Sequence, residues 1–233
     1  MSLLSEPAPI RDASGGISLR IVLGIALLAL AVGGGVGAGL YLLMKPAAAP
    51  LTAKTVLMRH GLYGDATWAA GSVRAPAINT LHDQNGSRFA LSSLHGHPVA
   101  LVFFDSYCHQ ECPLEGRQLA AAERRLPAAQ RPELLVVSVN PKDTPTSVAK
   151  AIRDWGLAGV APWHWLMGTH AQLARIWAEY NIQVSPPIDG DINHTEALYL
   201  VDKKGYERAG YLWPFASRFA TYDMRALATR KAA

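Results

Sequence analysis

Residues 98–113 read Pro98-Val-Ala-Leu-Val-Phe-Phe-Asp-Ser-Tyr-Cys108-His-Gln-Glu-Cys112-Pro113. The first seven form an apolar run typical of a strand that is buried on both faces. The only two cysteines of the 233-residue chain follow this run, with three residues between them. Two thiols at the junction of a strand and a helix can bind a soft metal, cycle as a redox dithiol or form a structural disulfide.

The pattern on either side of this run predicts an α/β fold. Strands are expected at 99–104, 134–139 and 163–167, and helices are expected to start at Pro113, Thr144 and Thr169. A hairpin over 77–91 precedes them, and a second hairpin over 197–211 and a last helix follow. Parallel strands joined by helices, with a late antiparallel pair, indicate a thioredoxin-like α/β sandwich. The cysteines would then lie beyond the carboxyl end of a buried strand, where open α/β sheets place their chemistry.

Pro113 predicts where the helix after the cysteines begins. Proline suits the first helical position and keeps the preceding residue out of the α region. We therefore expect Cys112 to lie outside the helix, in a loop that wraps over the helix amino end. Backbone N–H groups and the helix dipole would stabilise a thiolate there, which both metal binding and thiol exchange require.

An uncharged run at residues 21–44, rich in Leu, Ile, Val, Ala and Gly, sets the domain organisation. As a helix it would span roughly 36 Å, enough to cross a hydrocarbon core of about 30 Å. We predict a polar tail at 1–20, a transmembrane helix at 21–44, a linker at 45–70 and the α/β domain at 71–233. A cleaved signal peptide is the alternative, although signal cores are shorter, at about 7–15 residues.

The distribution of charge in the sequence argues against a nucleic acid as the partner. The net charge of +4 is spread thinly, without the clustered basic face of a nucleic-acid-binding protein. Arg11 and Arg20 precede the apolar run, while Lys45, Lys54 and Arg59 follow it. Charge alone leaves the orientation open, because long domains are exported largely regardless of flanking charge.

A histidine would complete a metal site with the two cysteines. Two thiolates and one imidazole form a soft set of low coordination number that suits Cu(I), with zinc as a competitor. Of the eight histidines, His194 is the first candidate, because it stands just before the predicted strand at 197–202. His109, between the cysteines, is the second. In a redox protein Cys108 would instead attack and Cys112 resolve, whereas a disulfide closing so small a loop would stabilise little.

Three segments of the chain resemble the SCO/SenC family. They are the Cys108-xxx-Cys112-Pro113 motif, residues 137–145 and residues 191–202. The resemblance runs over residues 75–211, most of the predicted domain. Members of that family are membrane-tethered, thioredoxin-like copper-binding proteins that assist assembly of the binuclear copper centre of cytochrome c oxidase.

The resemblance implies a site and a function. Cys108, Cys112 and His194 would be the ligands of a copper ion, and the partner would be the copper-binding subunit of cytochrome c oxidase. The domain would lie on the extracytoplasmic side of the membrane, held by its single transmembrane helix. Such a metallochaperone catalyses no covalent step. The alternative is an extracytoplasmic thiol-disulfide oxidoreductase that acts on the cysteines of the oxidase copper site through Cys108 and Cys112.

The sequence departs from the family pattern beside the expected ligands. Asn193 stands where the family often has an acidic residue before the histidine. His109, Gln110 and Glu111 stand where it often has Pro-Asp-Val. Residues around metal ligands tune affinity, so these departures bear on metal affinity and on the choice of partner.

Overall fold

A computed structural model of the chain describes residues 58–186 and 192–229. The strands are β1 (Ala66–Thr67), β2 (Val99–Phe104), β3 (Glu133–Ser138), β4 (Trp163–Leu166), β5 (Ala197–Val201) and β6 (Glu207–Leu212). The helices are α1 (Glu111–Arg124), α2 (Pro145–Asp154), α3 (His170–Glu179) and α4 (Ser217–Thr229). Short 3-10 turns lie at Leu91–Leu94 and Ala128–Gln130.

The strands form one mixed sheet in the order β1-β6-β5-β2-β3-β4. β2, β3 and β4 are parallel, with α1 and α2 as their connections. β5 pairs antiparallel with β2 and with β6, and β6 pairs antiparallel with β1. This arrangement confirms the predicted α/β sheet with a late antiparallel pair, and it places β2 at the centre.

The two faces of β2 are both covered, which explains its unbroken apolar sequence. Its even-numbered residues pack in a core with α1, α2 and α4, and its odd-numbered residues pack in a second core with α3. All six side chains of the strand are buried. Burying a side chain such as Val, Leu or Phe stabilises a fold by about 1.5–3 kcal/mol. This strand therefore fixes the position of the cysteine loop, residues 105–110, which carries Cys108.

Residues 77–91 turn back on themselves as predicted, but without two regular strands. One bridge between His82 and Arg88 joins their two halves, and no strand is assigned within this stretch. The side chain of Asp83 supports the turn, because its Oδ1 accepts hydrogen bonds from the N–H groups of Asn85 and Ser87, each at 2.9 Å. The Gly86 N–H also donates to the Asp83 carbonyl at 3.0 Å, so the tight turn lies at residues 83–86 as predicted.

The folded domain begins before residue 71. The described end of the predicted linker, from residue 58 onward, contains the fully buried Leu62. It also contains β1, in which Ala66 pairs with Gly210 of β6. Backbone pairing and burial of this kind are properties of a domain edge, so these residues belong to the packed domain.

The predicted tail at 1–20 and the predicted transmembrane helix at 21–44 lie outside the described residues. Within 58–186 and 192–229, no helix combines the length and the apolar character needed to cross a membrane.

Candidate metal and thiol site

The cysteine loop joins the carboxyl end of β2 to the amino end of α1. The expectation that Cys112 precedes the helix is wrong, because α1 begins at Glu111 and includes both Cys112 and Pro113. Pro113 is the third helical residue, and N–H groups in a first turn have no partner within the helix. A proline there removes no helical hydrogen bond. Cys108 therefore lies in the loop and Cys112 in the first helical turn.

The two sulfur atoms have different surroundings. Cys108 is partly buried, Cys112 is fully buried, and neither forms a disulfide. The backbone N–H of Cys112 points at Cys108 Sγ, 3.4 Å away. A helix amino end that donates to a sulfur stabilises its thiolate. The hydrogen bond with Cys108, together with burial, raises the pKa of the Cys112 thiol well above its usual value. Cys108 is thus the more reactive thiol.

His194 comes from the loop before β5 and reaches the buried cysteine. Its Nε2 lies 3.7 Å from Cys112 Sγ, and its Nδ1 lies 3.1 Å from the carbonyl oxygen of Thr195. A carbonyl only accepts, so Nδ1 carries the proton and Nε2 presents its lone pair toward the sulfur. Burial lowers the pKa of His194 below its usual 6.5. The ring is therefore neutral at neutral pH, as a metal ligand must be.

The separation between Cys112 and His194 suits a shared metal ion. Metal bonds of about 2.3 Å to sulfur and about 2.0 Å to nitrogen join two donors that lie about 3.5–4 Å apart. The pair at 3.7 Å meets this condition. Among residues 58–186 and 192–229, no group of three or more His, Cys, Asp or Glu side chains lies close enough together to hold a metal ion. A site with three donors therefore requires the side chains of Cys108, Cys112 and His194 to rearrange when a metal ion binds.

Two clefts open on Cys108. The first, of about 440 Å³, is lined by Cys108, Gln110, Glu111, Ile192, Asn193, His194 and Glu196. The second, of about 400 Å³, lies between α1 and α2, and His109 is in its lining. The structure thus places His194 against Cys112 and places His109 on the wall of the other cleft. Cys108 is accessible from both sides.

Two carboxyl groups beside the site have raised pKa values. Burial, with Glu196 and Cys108 as neighbouring charges, raises the pKa of Glu115 to about 8. Burial, with Glu111 and Cys108, raises the pKa of Glu196 to about 7. Glu115 is therefore mostly neutral at pH 7, and Glu196 is about half neutral. Because these two carboxyl groups are partly neutral, they repel the negative charge of the nearby thiolates less than two ionised carboxylates would.

Two other carboxylates, Asp105 and Asp143, accept hydrogen bonds from the backbone of the cysteine loop, and neither was predicted from the sequence. Asp105 Oδ1 accepts from the Tyr107 N–H at 2.9 Å, and Asp143 Oδ1 accepts from the Ser106 N–H at 3.1 Å. A signal was present, since Asp105 directly follows β2 and Asp143 follows β3. The carboxyl ends of neighbouring parallel strands meet at one edge of a sheet.

A comparison with protein families finds that the SCO1/SenC model matches residues 77–212. The match includes the cysteine loop, the β3–α2 loop and His194. No curated protein matches the chain in a sequence search.

The fold is similar to those of several solved structures. A SCO1/SenC family lipoprotein from Bacillus anthracis superposes with a TM-score of 0.59 at 20% identity, covering 67% of this chain and 95% of that one. Yeast Sco1 with copper bound gives 0.58 at 19% identity, covering 69% and 92%. BsSco, described with a disulfide switch, gives 0.58 at 21% identity, covering 68% and 95%. These similarities confirm the thioredoxin-like α/β fold.

Proposed function

This chain belongs to the SCO1/SenC family, and on that basis we propose that it binds copper and delivers it to the copper-binding subunit of cytochrome c oxidase. Two relatives in fold support the proposal: yeast Sco1 has copper bound, and BsSco is described as a member of a family of cytochrome c oxidase assembly proteins. The observation that carries it is the 3.7 Å approach of His194 Nε2 to Cys112 Sγ beside Cys108.

The ligands in this proposal are Cys108, Cys112 and His194. Two thiolates and a neutral imidazole are soft donors that favour Cu(I) over harder ions. Cys112 holds its proton because its pKa is raised, so the thiol gives up that proton when copper binds. Copper binding should therefore release protons and become tighter as the pH rises.

Delivery would begin at Cys108. Cys112 is fully buried, whereas Cys108 is partly exposed and borders both clefts. An incoming thiol of the acceptor can therefore reach copper on the Cys108 side and replace this ligand first. Cys112 and His194 would hold the ion until the acceptor supplies further donors.

We place this domain on the extracytoplasmic side, held to the membrane by residues 21–44. The support for the anchor is the long uncharged apolar run in the sequence. A protease added to intact spheroplasts that express the full chain with a carboxyl-terminal tag tests the placement. Digestion of the tagged domain is the expected result, and protection until the cells are lysed would contradict it.

Anaerobic competition for Cu(I) tests the copper site. The full-length chain, purified in mild detergent, would be titrated against a chromophoric chelator of known affinity. We expect one Cu(I) per chain, and we expect affinity to fall at least about tenfold in Cys108→Ser, Cys112→Ser and His194→Ala. His97→Ala is the matched control, because His97 is exposed just before the amino end of β2, opposite the site. If His194→Ala kept the wild-type affinity for Cu(I) and His109→Ala lost it, the histidine ligand would be His109 and not His194.

Thiol-disulfide exchange is a second candidate, favoured by the Cys112 N–H directed at Cys108 Sγ. The Cys108 thiolate would attack a disulfide of the acceptor, forming a mixed disulfide and expelling one acceptor thiolate. The Cys112 thiolate would then displace the second acceptor thiolate and close the Cys108–Cys112 disulfide. The acceptor gains two electrons and this protein loses two.

Trapping separates this candidate from copper delivery. With a peptide that contains a disulfide, Cys112→Ser should accumulate a mixed disulfide through Cys108. Cys108→Ser should not, because Cys112 is buried. If Cys112→Ser formed no mixed disulfide, thiol-disulfide exchange would be excluded and copper delivery would remain as the proposed function.

A further inference from the structure

Asp143 lies in the loop between β3 and α2 and binds three other elements. Its Oδ1 accepts from the Ser106 N–H at 3.1 Å and from the Ser106 hydroxyl at 2.6 Å. Its Oδ2 accepts from the Ser138 hydroxyl at 2.6 Å and from Trp165 Nε1 at 3.2 Å. One oxygen of the carboxylate is thus devoted to the cysteine loop, and the other is anchored to β3 and β4.

Further hydrogen bonds hold the backbone between Ser106 and Cys108. The neighbouring Asp105 accepts from the Tyr107 N–H at 2.9 Å and from Asn140 Nδ2 at 3.0 Å. The Cys108 N–H then donates to the Asp105 carbonyl at 3.0 Å. The backbone from 105 to 108 is therefore fixed by hydrogen bonds at each successive N–H from Ser106 to Cys108. A shift of this backbone would move Cys108 Sγ away from the Cys112 N–H, which now lies 3.4 Å from it.

We propose that Asp143 is a positioning residue for Cys108: by holding Ser106, it sets the cysteine loop so that the Cys108 sulfur receives the Cys112 N–H. Asp143 acts through Ser106 and does not touch either sulfur in this role. The role is independent of which ion the cysteines bind, so it stands or falls apart from the copper proposal.

The charge of Asp143 depends on pH in the mildly acidic range. Burial raises its pKa to about 6, opposed by the hydrogen bonds from Ser106 and Ser138 and reinforced by the nearby Asp105. Within the part of the chain that the structure describes, the charged group that shifts the pKa of Asp143 is Asp105. Ser106, Ser138, Trp165 and the Ser147 hydroxyl beside Ser106 are neutral. The carboxylate is ionised at pH 7 and accepts fully from Ser106. Protonation below about pH 6 weakens this hold.

The experiment measures the pKa of the Cys108 thiol. In the full-length chain with Cys112→Ser as background, Cys108 is the single thiol, and its rate of alkylation against pH gives its pKa. We expect Asp143→Asn to raise that pKa and to slow alkylation at pH 7 about threefold to tenfold, because the misplaced sulfur loses the N–H that stabilises its thiolate. Removing a negative charge would by itself lower the pKa of a nearby thiol. The direction of the shift therefore separates positioning from charge.

Two variants at Ser106 serve as controls. Ser106→Ala removes the hydroxyl that donates at 2.6 Å and should shift the Cys108 pKa in the same direction as Asp143→Asn. Ser106→Thr keeps the hydroxyl and should behave as wild type. If Asp143→Asn fails to fold, Ser106→Ala carries the test. A Cys108 pKa that is unchanged or lower in folded Asp143→Asn, or unchanged in Ser106→Ala, overturns the proposal.

Discussion

The two cysteines, four positions apart, differ in burial and therefore in the chemistry each can perform. Cys108 lies at the mouth of two clefts and receives a backbone N–H, whereas Cys112 is sealed beneath it with a raised pKa. The exposed sulfur can meet a partner, and the buried one can hold a ligand or resolve a disulfide. The same two residues would be equivalent if both lay on a surface helix.

This difference predicts selective alkylation of the reduced wild-type chain. At pH 7.5 iodoacetamide should modify Cys108 at least about tenfold faster than Cys112, because the reagent needs an accessible thiolate. Peptide mass spectrometry at short reaction times measures the ratio. Equal labelling of the two residues would show that the cysteine loop does not shield Cys112.

The sequence identified the candidate ligands because cysteine and histidine are rare and their chemistry is narrow. It did not identify Asp143, because aspartate is common in loops and nothing in its own segment points to residue 106. Their contact arises from the register of β2 and β3, in which Phe104 pairs with Ser138. Residues 37 positions apart then meet at one edge of the sheet.

At the scale of elements, α1 has acidic residues on its buried face. Glu115 and Glu123 are both fully buried, and their carboxylate oxygens have no hydrogen-bond partner among the described residues. Burial raises the pKa of Glu123 to about 8, although Arg131 and Arg124 oppose the shift. The helix therefore packs its acidic side chains in the neutral form.

Glu123 should make the domain less stable as the pH rises. The folded state keeps the proton up to about pH 8, whereas the unfolded chain loses it near 4.5. The folded state thus binds more protons between these values, and the free energy of unfolding falls across this window. Glu123→Gln should remove this dependence and raise the free energy of unfolding at pH 8 by about 1–3 kcal/mol relative to its effect at pH 4.5.

Urea unfolding at pH 4.5, 6 and 8 measures this effect. Asp154→Asn is the control, because Asp154 is an exposed acidic residue that pairs with Lys150 within α2. A difference between Glu123→Gln and wild type that stays constant with pH would show that Glu123 is ionised inside the fold.

The elements themselves were largely predictable, and the exceptions have physical causes. The predicted strand at 99–104 matches β2, because a run covered on both faces has no polar alternation to obscure its ends. The start of α1 was displaced, because proline is tolerated throughout a first turn and not only at its first position. The turn of the hairpin at 77–91 is present, since the Gly86 N–H donates to the Asp83 carbonyl, but regular strands do not flank it.

At the scale of the whole molecule, Asp223 of α4 joins distant parts of the chain. Its carboxylate accepts from the N–H groups of Tyr63 and Gly64, at 2.9 Å and 3.1 Å, and from the Tyr211 hydroxyl at 2.5 Å. The residue is fully buried. It therefore fastens the segment that enters the domain to β6 and to the last helix.

Asp223→Asn should destabilise the whole domain. Oδ2 of Asp223 accepts all three of these hydrogen bonds, and Oδ1 also accepts from the Tyr63 N–H at 3.0 Å. The amide of asparagine would therefore set its NH2 group against the Tyr63 N–H and lose the charge that strengthens the other bonds, at a cost of about 1–3 kcal/mol. Urea unfolding followed by tryptophan fluorescence measures the loss. Asp154→Asn is the control, because Asp154 makes an exposed pair with Lys150 within α2 and should change stability by less than about 0.5 kcal/mol. Equal effects of the two substitutions would contradict the role of Asp223.

The mixed sheet was predictable from the order of strands and helices, since parallel strands joined by helices have few allowed arrangements. The connection through Asp223 was not, because Asp223 and Tyr63 are 160 positions apart. The sequence assigned residues 63 and 64 to a linker for the same reason: their partners lie at the other end of the chain.

X-ray absorption at the copper edge would identify the atoms that bind copper. Full-length wild type and His194→Ala would each be loaded anaerobically with one Cu(I). We expect two sulfur scatterers and one imidazole nitrogen in wild type, with the nitrogen lost in His194→Ala. An identical imidazole contribution in both proteins, or copper held by sulfur alone in wild type, would contradict the three-ligand site.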